Sequence, residues 1–290
     1  MNNTQPSGFV DFIRAKGPFS QIILAVILAT LLYIILISLE IIYTSYKSVA
    51  NTRVIIEDKT QDNTRLVTYP VNPSSVSNKD YRNLLHSDNE NTGIEYSYSC
   101  FLLINEGNFT GATNQFKHIF HKGSESLFPL LSPGVFVNAG TNTLRIFQNI
   151  TTTWYNYIDV ENIPVSKWVH LVILVKNNAT EVYVNGNLAA KLTSKTGVIY
   201  QNYQNLYLFS RHTINLINSS TPSVPSNDPY QIIGHADVLI SRLYYYTYAL
   251  TYTEIQDLMN MGPNPLTVQT NQDKPPYMID NWWTGQKNLM

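Results

Sequence analysis

The sequence predicts an all-β domain, sandwich or barrel, with one short C-terminal helix, carried behind a single N-terminal transmembrane helix. Three observations predict it. Ile22 to Leu39 are 18 consecutive residues without a charge. From Gly93 onward, short apolar runs recur between Asn-, Gly-, Pro- and Ser-containing turns, the spacing of an all-β domain. Only 13% of the 290 residues are charged, about half the ~25% of an ordinary soluble domain. Asn, Thr, Ser and 20 Tyr supply the polarity instead, a composition suited to strands and turns.

The same composition excludes several functions. A net charge of −1 without a Lys/Arg cluster offers no surface for counterion release, so no nucleic-acid partner is expected. A single cysteine, Cys100, forms no internal disulfide and leaves no CxxC pair for structural zinc.

From the start of the chain, residues 1–20 form an N-terminal tail and residues 21–43 the membrane helix. At 1.5 Å per residue this helix is about 34 Å long, enough for the ~30 Å hydrocarbon core of a lipid bilayer. A signal peptide cleaved near Ser48-Val49-Ala50 is the alternative, but its apolar stretch would be shorter and closer to the start. Arg14 and Lys16 precede the span, and Lys47, Arg53 and Lys59 come after it. Those counts do not decide orientation; a long C-terminal domain translocates largely regardless of charge, which favours the N-terminus inside. Residues 44–92 alternate short apolar and polar stretches and read as a stalk, with one or two strands that add to the domain beyond it.

Residues 93–262 form the domain. Strands are expected over Ile94–Ile104, Phe116–Phe120, Gly134–Val137, Thr143–Gln148, Tyr155–Val160, Trp168–Val175, Glu181–Val184, Leu206–Phe209 and Val238–Tyr246. Asn185-Gly186 tolerates positive φ at both centres of a type I′ turn and closes a hairpin. The continuous apolar run Leu171–Val175 implies a strand buried on both faces. Thr251-Tyr252-Thr253-Glu254 reads as a capping box, Ile255, Leu258 and Met259 fall on one helix face, and Gly262-Pro263 stops the helix. Residues 263–290 form a proline-containing tail, in which Trp282 and Trp283 either fold back on the domain or dock on a partner.

The ordered series Tyr98–Ile104, Lys117-His118-Ile119-Phe120-His121-Lys122-Gly123, Ser166–Leu171, Val182–Gly186 and Arg242–Ile255 resembles the concanavalin A-like lectin/glucanase superfamily in its laminin G-like form. The resemblance implies a two-sheet antiparallel jelly-roll sandwich. Joined to a membrane anchor in an Asn-, Ile- and Tyr-rich chain, it is also similar to proteins of large DNA viruses.

The marked residues carry structural expectations. Trp168 seals one end of the sandwich, with His170 on its face and Val169 and Leu171 opposite. Tyr244, Tyr246 and Tyr248 share one strand face, either as a row for stacking on sugars or as a strand packed under loops. Retaining glucanases of the superfamily carry a Glu-x-Asp-x-Glu strand; here Tyr157-Ile158-Asp159-Val160-Glu161 puts a tyrosine at the nucleophile's position, so no catalytic residue is assigned. Calcium, held by many relatives, meets Ser241-Arg242 where their acidic pair lies, and Asp237 stands alone nearby, so no cofactor or metal ligand is assigned. His118 and His121, three apart on a strand, point to opposite faces unless the segment turns between them.

The functional expectation is a single-pass, non-catalytic membrane protein. Its jelly roll acts first as a structural or interaction component, for example of a virion, docking on protein partners. Second comes a glycan-binding, lectin-like surface protein, and last a glycoside hydrolase.

Overall fold

The computed structural model describes residues 18–50, 52–87, 89–90, 93–216 and 230–268. Two compact units divide the chain at residues 52 and 53. The first contains helix α1 (Pro18–Ala50), whose segment Gln21–Tyr43 has a mean hydropathy of 3.0 and is long and apolar enough to cross a membrane. Within that segment Leu32, Ile34 and Ile42 are exposed. Apolar character all round a helix suits lipid rather than water.

The second unit is a two-sheet sandwich. Its strands are β1 (Arg53–Glu57), β2 (Val67–Tyr69), β3 (Asn89–Glu90), β4 (Gly93–Ile94), β5 (Tyr96–Ile104), β6 (Gln115–Gly123), β7 (Leu131–Asn138) and β8 (Leu144–Phe147). They continue with β9 (Tyr157–Val160), β10 (Trp168–Lys176), β11 (Ala179–Val184), β12 (Asn187–Thr193), β13 (Leu206–Leu208), β14 (Thr213–Leu216), β15 (Tyr230–His235) and β16 (Val238–Tyr246), and then comes α2 (Tyr252–Met261). Sheet I runs β1-β16-β5-β10-β11-β12 and sheet II runs β14-β15-β6-β7-β8-β9, with β13 joining β6 to β2. Pairing is antiparallel except between β15 and β6.

Alternation along the strands builds three apolar layers. Between the sheets lie Val169, Leu171 and Ile173 from β10, Leu102 and Ile104 from β5, and Val135, Val137, Leu144 and Ile146 from sheet II. On the outer face of sheet I, Val172 and Leu174 meet Ile255 and Leu258 of α2. The run Leu171–Val175 is therefore buried on both faces, as its composition predicts. Burying Ile255 and Leu258 contributes roughly 1.5–3 kcal/mol each, which fixes a ten-residue helix too short to persist alone. On the outer face of sheet II, Phe116, Phe136, Phe147, Tyr155 and Tyr230 form an aromatic layer.

Local signals give the expected local structures. Asn185 and Gly186 adopt φ of 49° and 77°, and the Thr251/Glu254 capping box is complete. The hairpin turn is also tied to β10, because the Asn185 side-chain oxygen accepts from the His170 N–H at 2.9 Å. At the helix end, Gly262 takes φ 66° and donates to the Met259 carbonyl.

Residues 44–92 are more than a stalk. Strand β1 pairs with β16, β2 pairs with β13, and Ile56, Tyr69, Val71 and Leu84 enter the inter-sheet core. Their short apolar runs are strands whose partners lie more than a hundred residues away, so periodicity shows the strands but not the sheets that receive them. Of the tail, residues 264–268 lie beside residues 58–61: Thr60 donates to the Leu266 carbonyl and Val268 donates to the Thr60 carbonyl, both at 2.8 Å. Trp282 and Trp283 lie outside the described residues.

Candidate ligand-binding cleft

Most positions marked by the sequence are structural. Tyr244 and Tyr246 are 3% and 4% exposed, covered by α2 in the layer that also holds Leu250 and Ile255. Tyr248 packs against the same layer and donates to Glu254 Oε1 at 2.8 Å. Tyr244 and Tyr246, buried in that layer, cannot receive a sugar ring. Trp168 does share a face with His170, opposite Val169 and Leu171, but that face is the outside of sheet I. It is half-buried beside Leu103 of β5 rather than sealing the space between the sheets.

The Glu-x-Asp-x-Glu position is also committed. Asp159 takes a bidentate pair from Arg145, Nε to Oδ1 and Nη2 to Oδ2, both at 2.8 Å. That guanidinium lies over the Tyr157 ring at 3.7 Å and the Phe116 ring at 4.4 Å. The tyrosine in the nucleophile's place is thus one side of an arginine clamp.

His118 and His121 do converge, correcting the expectation from strand period. Register shifts flank Phe120 where β6 changes partner from β15 to β13, and the bulge turns both rings to one side. Ser210 N–H donates to His118 Nδ1 at 2.9 Å. His118 Nε2 must then carry its proton and donate to His121 Nδ1 at 2.8 Å, and His121 Nε2 donates to the Ser124 carbonyl at 2.9 Å. Both rings are fully buried. Burial holds the His118 imidazole well below its ordinary value and lowers His121 to about 4. Every ring nitrogen of the pair is occupied, and among the described residues no group of three or more His, Cys, Asp and Glu is placed to hold a metal ion. Asp237 Oδ1 is engaged by the Asn105 amide at 3.0 Å, and Arg242 lies 3.8 Å from Asp58.

A cleft of about 330 Å³ opens instead beside β1 and β2, with Val268 on its wall, at the lower end of the ~300–1,000 Å³ of small-molecule sites. Tyr69, 1% exposed, is its floor. Its hydroxyl donates to Glu57 Oε2 at 2.8 Å, while the Lys59 N–H donates to Oε1 at 3.0 Å, so the Glu57 carboxylate is held from two directions. Burial and that carboxylate push the Tyr69 phenol far above its ordinary value, which keeps it a donor.

Behind the floor, Arg82 stacks its guanidinium 5.0 Å from the Tyr69 ring centre. It donates through Nε to the Ile56 carbonyl at 2.9 Å and through Nη1 to the Tyr81 and Lys79 carbonyls at 3.0 and 3.3 Å. One side chain thereby ties the turn carrying Lys79 and Asp80 to β1. Asn78 shapes that turn by accepting from the Asp80 N–H at 2.9 Å. Opposite, Asp62 Oδ1 accepts from the Thr64 N–H and hydroxyl at 3.3 and 2.6 Å, shaping the loop that presents Arg65.

The cleft therefore offers donors (Arg65, Lys79), acceptors (Glu57, Asp80) and the hydroxyl of Thr68 beside the apolar walls of Leu66 and Val268. Such a mixture matches a ligand whose hydroxyls both donate and accept across a carbon ring. None of these residues is visible as a site in the sequence. The only local signals are Asp62 and Asn78, two turn-forming residues, and neither announces what its turn faces.

The family model of the concanavalin A-like lectin/glucanases superfamily, in its laminin G form, matches residues 77–256. The chain belongs to this superfamily. No curated protein matches by sequence. Among solved structures, the receptor binding domain of botulinum neurotoxin D is similar over 73% of this chain and 43% of its own, with a TM-score of 0.43 and 10% identity. The Trypanosoma rangeli sialidase is similar over 57% of this chain and 22% of its own, with a TM-score of 0.37 and 15% identity. The chain thus spans less than half the length of these neighbours.

Proposed function

We propose that this protein is a membrane-anchored, non-catalytic glycan-binding module whose ligand seat is the cleft over Tyr69. The observation that carries the proposal is the convergence of oriented donors and acceptors on a buried floor, within a sandwich of a lectin superfamily. Helix α1 is the anchor, holding the module at a bilayer by a segment with the length and hydropathy of a span. The committed Arg145–Asp159 pair and Tyr157 support a module without hydrolase chemistry, since a retaining mechanism needs two carboxyl groups ~5–5.5 Å apart.

The test is a glycan array probed with the full chain in lipid nanodiscs, alongside an Asp80→Ala chain. Binding that soluble sugar competes away, and that Asp80→Ala weakens at least tenfold, is the expected result. No binding to any sugar would overturn the proposal, and capture of protein partners by such a chain would restore the assembly role to first place. Binding unchanged in Asp80→Ala would move the seat away from this cleft.

A further inference from the structure

We infer that the β domain folds on the face of the membrane that N-glycosylation does not reach, an inference that rests on α1 as the anchor and not on what the cleft binds. Its ground is three glycan-acceptor sequences, Asn108-Phe109-Thr110, Asn149-Ile150-Thr151 and Asn178-Ala179-Thr180. N-glycosylation bonds the sugar's anomeric carbon to Asn Nδ2, which gives up one of its two hydrogens as the lipid diphosphate carrier leaves. In the lumen of the secretory pathway this happens as the chain emerges, before a domain folds. The product is bulky and belongs at a surface.

All three asparagines are instead spent inside the fold. Asn108 and Asn149 are both 0% exposed. Asn108 Nδ2 donates to the Asn105 and Asp237 carbonyls at 2.9 and 2.7 Å, and its Oδ1 accepts from the Asp237 N–H at 2.7 Å. One side chain thereby ties the β5–β6 connection to the turn before β16. Asn149 Nδ2 donates to the Trp154 and Pro129 carbonyls at 2.9 and 3.4 Å, and its Oδ1 accepts from the Leu131 N–H at 2.6 Å. Asn178, half-buried in the β10–β11 turn, donates through Nδ2 to the Gly197 and Ser194 carbonyls at 2.9 and 3.2 Å and accepts from the Ile199 N–H at 2.9 Å.

At each position both carbonyl partners of Nδ2 and the donor to Oδ1 belong to the backbone that joins strands. A glycan replaces one amide hydrogen, leaves a carbonyl without its donor, and needs a path to solvent that Asn108 and Asn149 lack. Glycans added to the unfolded chain and this fold therefore exclude each other. In a cell that N-glycosylates its lumenal proteins, the domain accordingly belongs in the cytosol and the N-terminus across the bilayer, the reverse of what the length of the C-terminal domain favours. On that face the cleft meets free sugars and sugars carried by cytosolic proteins, not the Asn-linked glycans of the lumen.

The experiment translates the full chain into endoplasmic-reticulum membranes, with an epitope tag after Met290 and with Asn2→Gln to remove the acceptor of the N-terminal tail. A second chain carries four lysines inserted after Ser7, which hold the N-terminus in the cytosol and send the domain to the lumen. The natural orientation is expected to lose its tag to protease added outside and to show no mobility change with endoglycosidase H. The lysine chain is expected to keep its tag, carry glycans at the three positions and, once detergent opens the membranes, be digested at least tenfold faster. Thr110→Ala, Thr151→Ala and Thr180→Val together remove the acceptors without touching the asparagines, and they are expected to restore resistance in the lumen. Thr180→Val replaces a buried hydroxyl that has no hydrogen bond among the described residues. A protected tag on the chain without the lysines would overturn the inference, and so would a lysine chain that carries the three glycans and resists protease equally. Failure of the threonine variant in the lumen, when it is resistant in the natural orientation, would show that the glycans are not what excludes the fold. Release of the chain by carbonate would overturn the anchor on which the assignment of a face depends.

Discussion

Acidification is expected to unfold the sandwich well before its carboxylates titrate, because its buried histidines are held neutral. His121 and His170 are 0% and 1% exposed, and burial lowers each to about 4 from an ordinary value near 6.5. His118 is shifted the same way, first by burial and then by His121, His235 and His212 beside it. A folded value below the unfolded one means that the unfolded chain binds more protons on acidification. The stability is fully present above about pH 6.5 and is lost as pH falls toward 4. At pH 5, each of His121 and His170 has lost roughly 2 kcal/mol, from the ratio of the two binding polynomials, so the pair costs about 4 kcal/mol. Against ~5–15 kcal/mol for a whole domain, that is a large share. Urea unfolding of the full chain in detergent, monitored by tryptophan fluorescence from pH 8 to 5, reads it directly. The expected midpoint is flat from pH 8 to 7 and then falls. His170→Gln, which removes one of these titrations, flattens the fall by about 1.2 kcal/mol per pH unit between pH 6 and 5. A midpoint that stays constant down to pH 5, or a slope unchanged in His170→Gln, would show that the buried imidazoles are not what acid attacks.

Other outcomes rest on single contacts. Tyr157→Glu recreates a Glu-x-Asp-x-Glu string but no glucanase, because the new carboxylate arises beside the Arg145 guanidinium that lies over residue 157 and is taken up in an ion pair with it; release of reducing sugar from β-glucan remains at background. Arg145→Ala removes a buried guanidinium that lies over two rings, while the exposed Asp159 carboxylate returns to water, and lowers stability by about 1–3 kcal/mol in the same urea assay. Gly186→Ala places a methyl group on the Gln256 side chain in a left-handed residue and costs about 1–2 kcal/mol in that assay. Thr251→Ala removes the cap of α2 and costs about 1 kcal/mol, with amide exchange rising first in the helix that covers Tyr244 and Tyr246.

Features of local origin can be read from the residues alone. Eighteen uncharged residues specify a helix that suits lipid, since length and hydropathy alone set that match. Asn185-Gly186 and the Thr251/Glu254 box specify a turn and a cap, because each rests on hydrogen bonds and φ angles within four residues. The run Leu171–Val175 carries the mark of its burial, and the ordered motifs place the chain in its superfamily.

Features that depend on distant partners exist only in the folded chain. Only the fold sets Ile56 and Tyr69 in the core, covers Tyr244 and Tyr246 with α2, and leaves Trp168 outside. A change of partner along β6 brings two histidines together that strand period would keep apart. The cleft is the fullest case: its floor, its pinned turns and its far wall come from residues 57 to 82 and from Val268, and Arg82 is aimed by carbonyls on two of those segments. A hydrogen bond has direction and reach but leaves no mark in a sequence when its partners are far apart along the chain, so the turns were legible and the site between them was not.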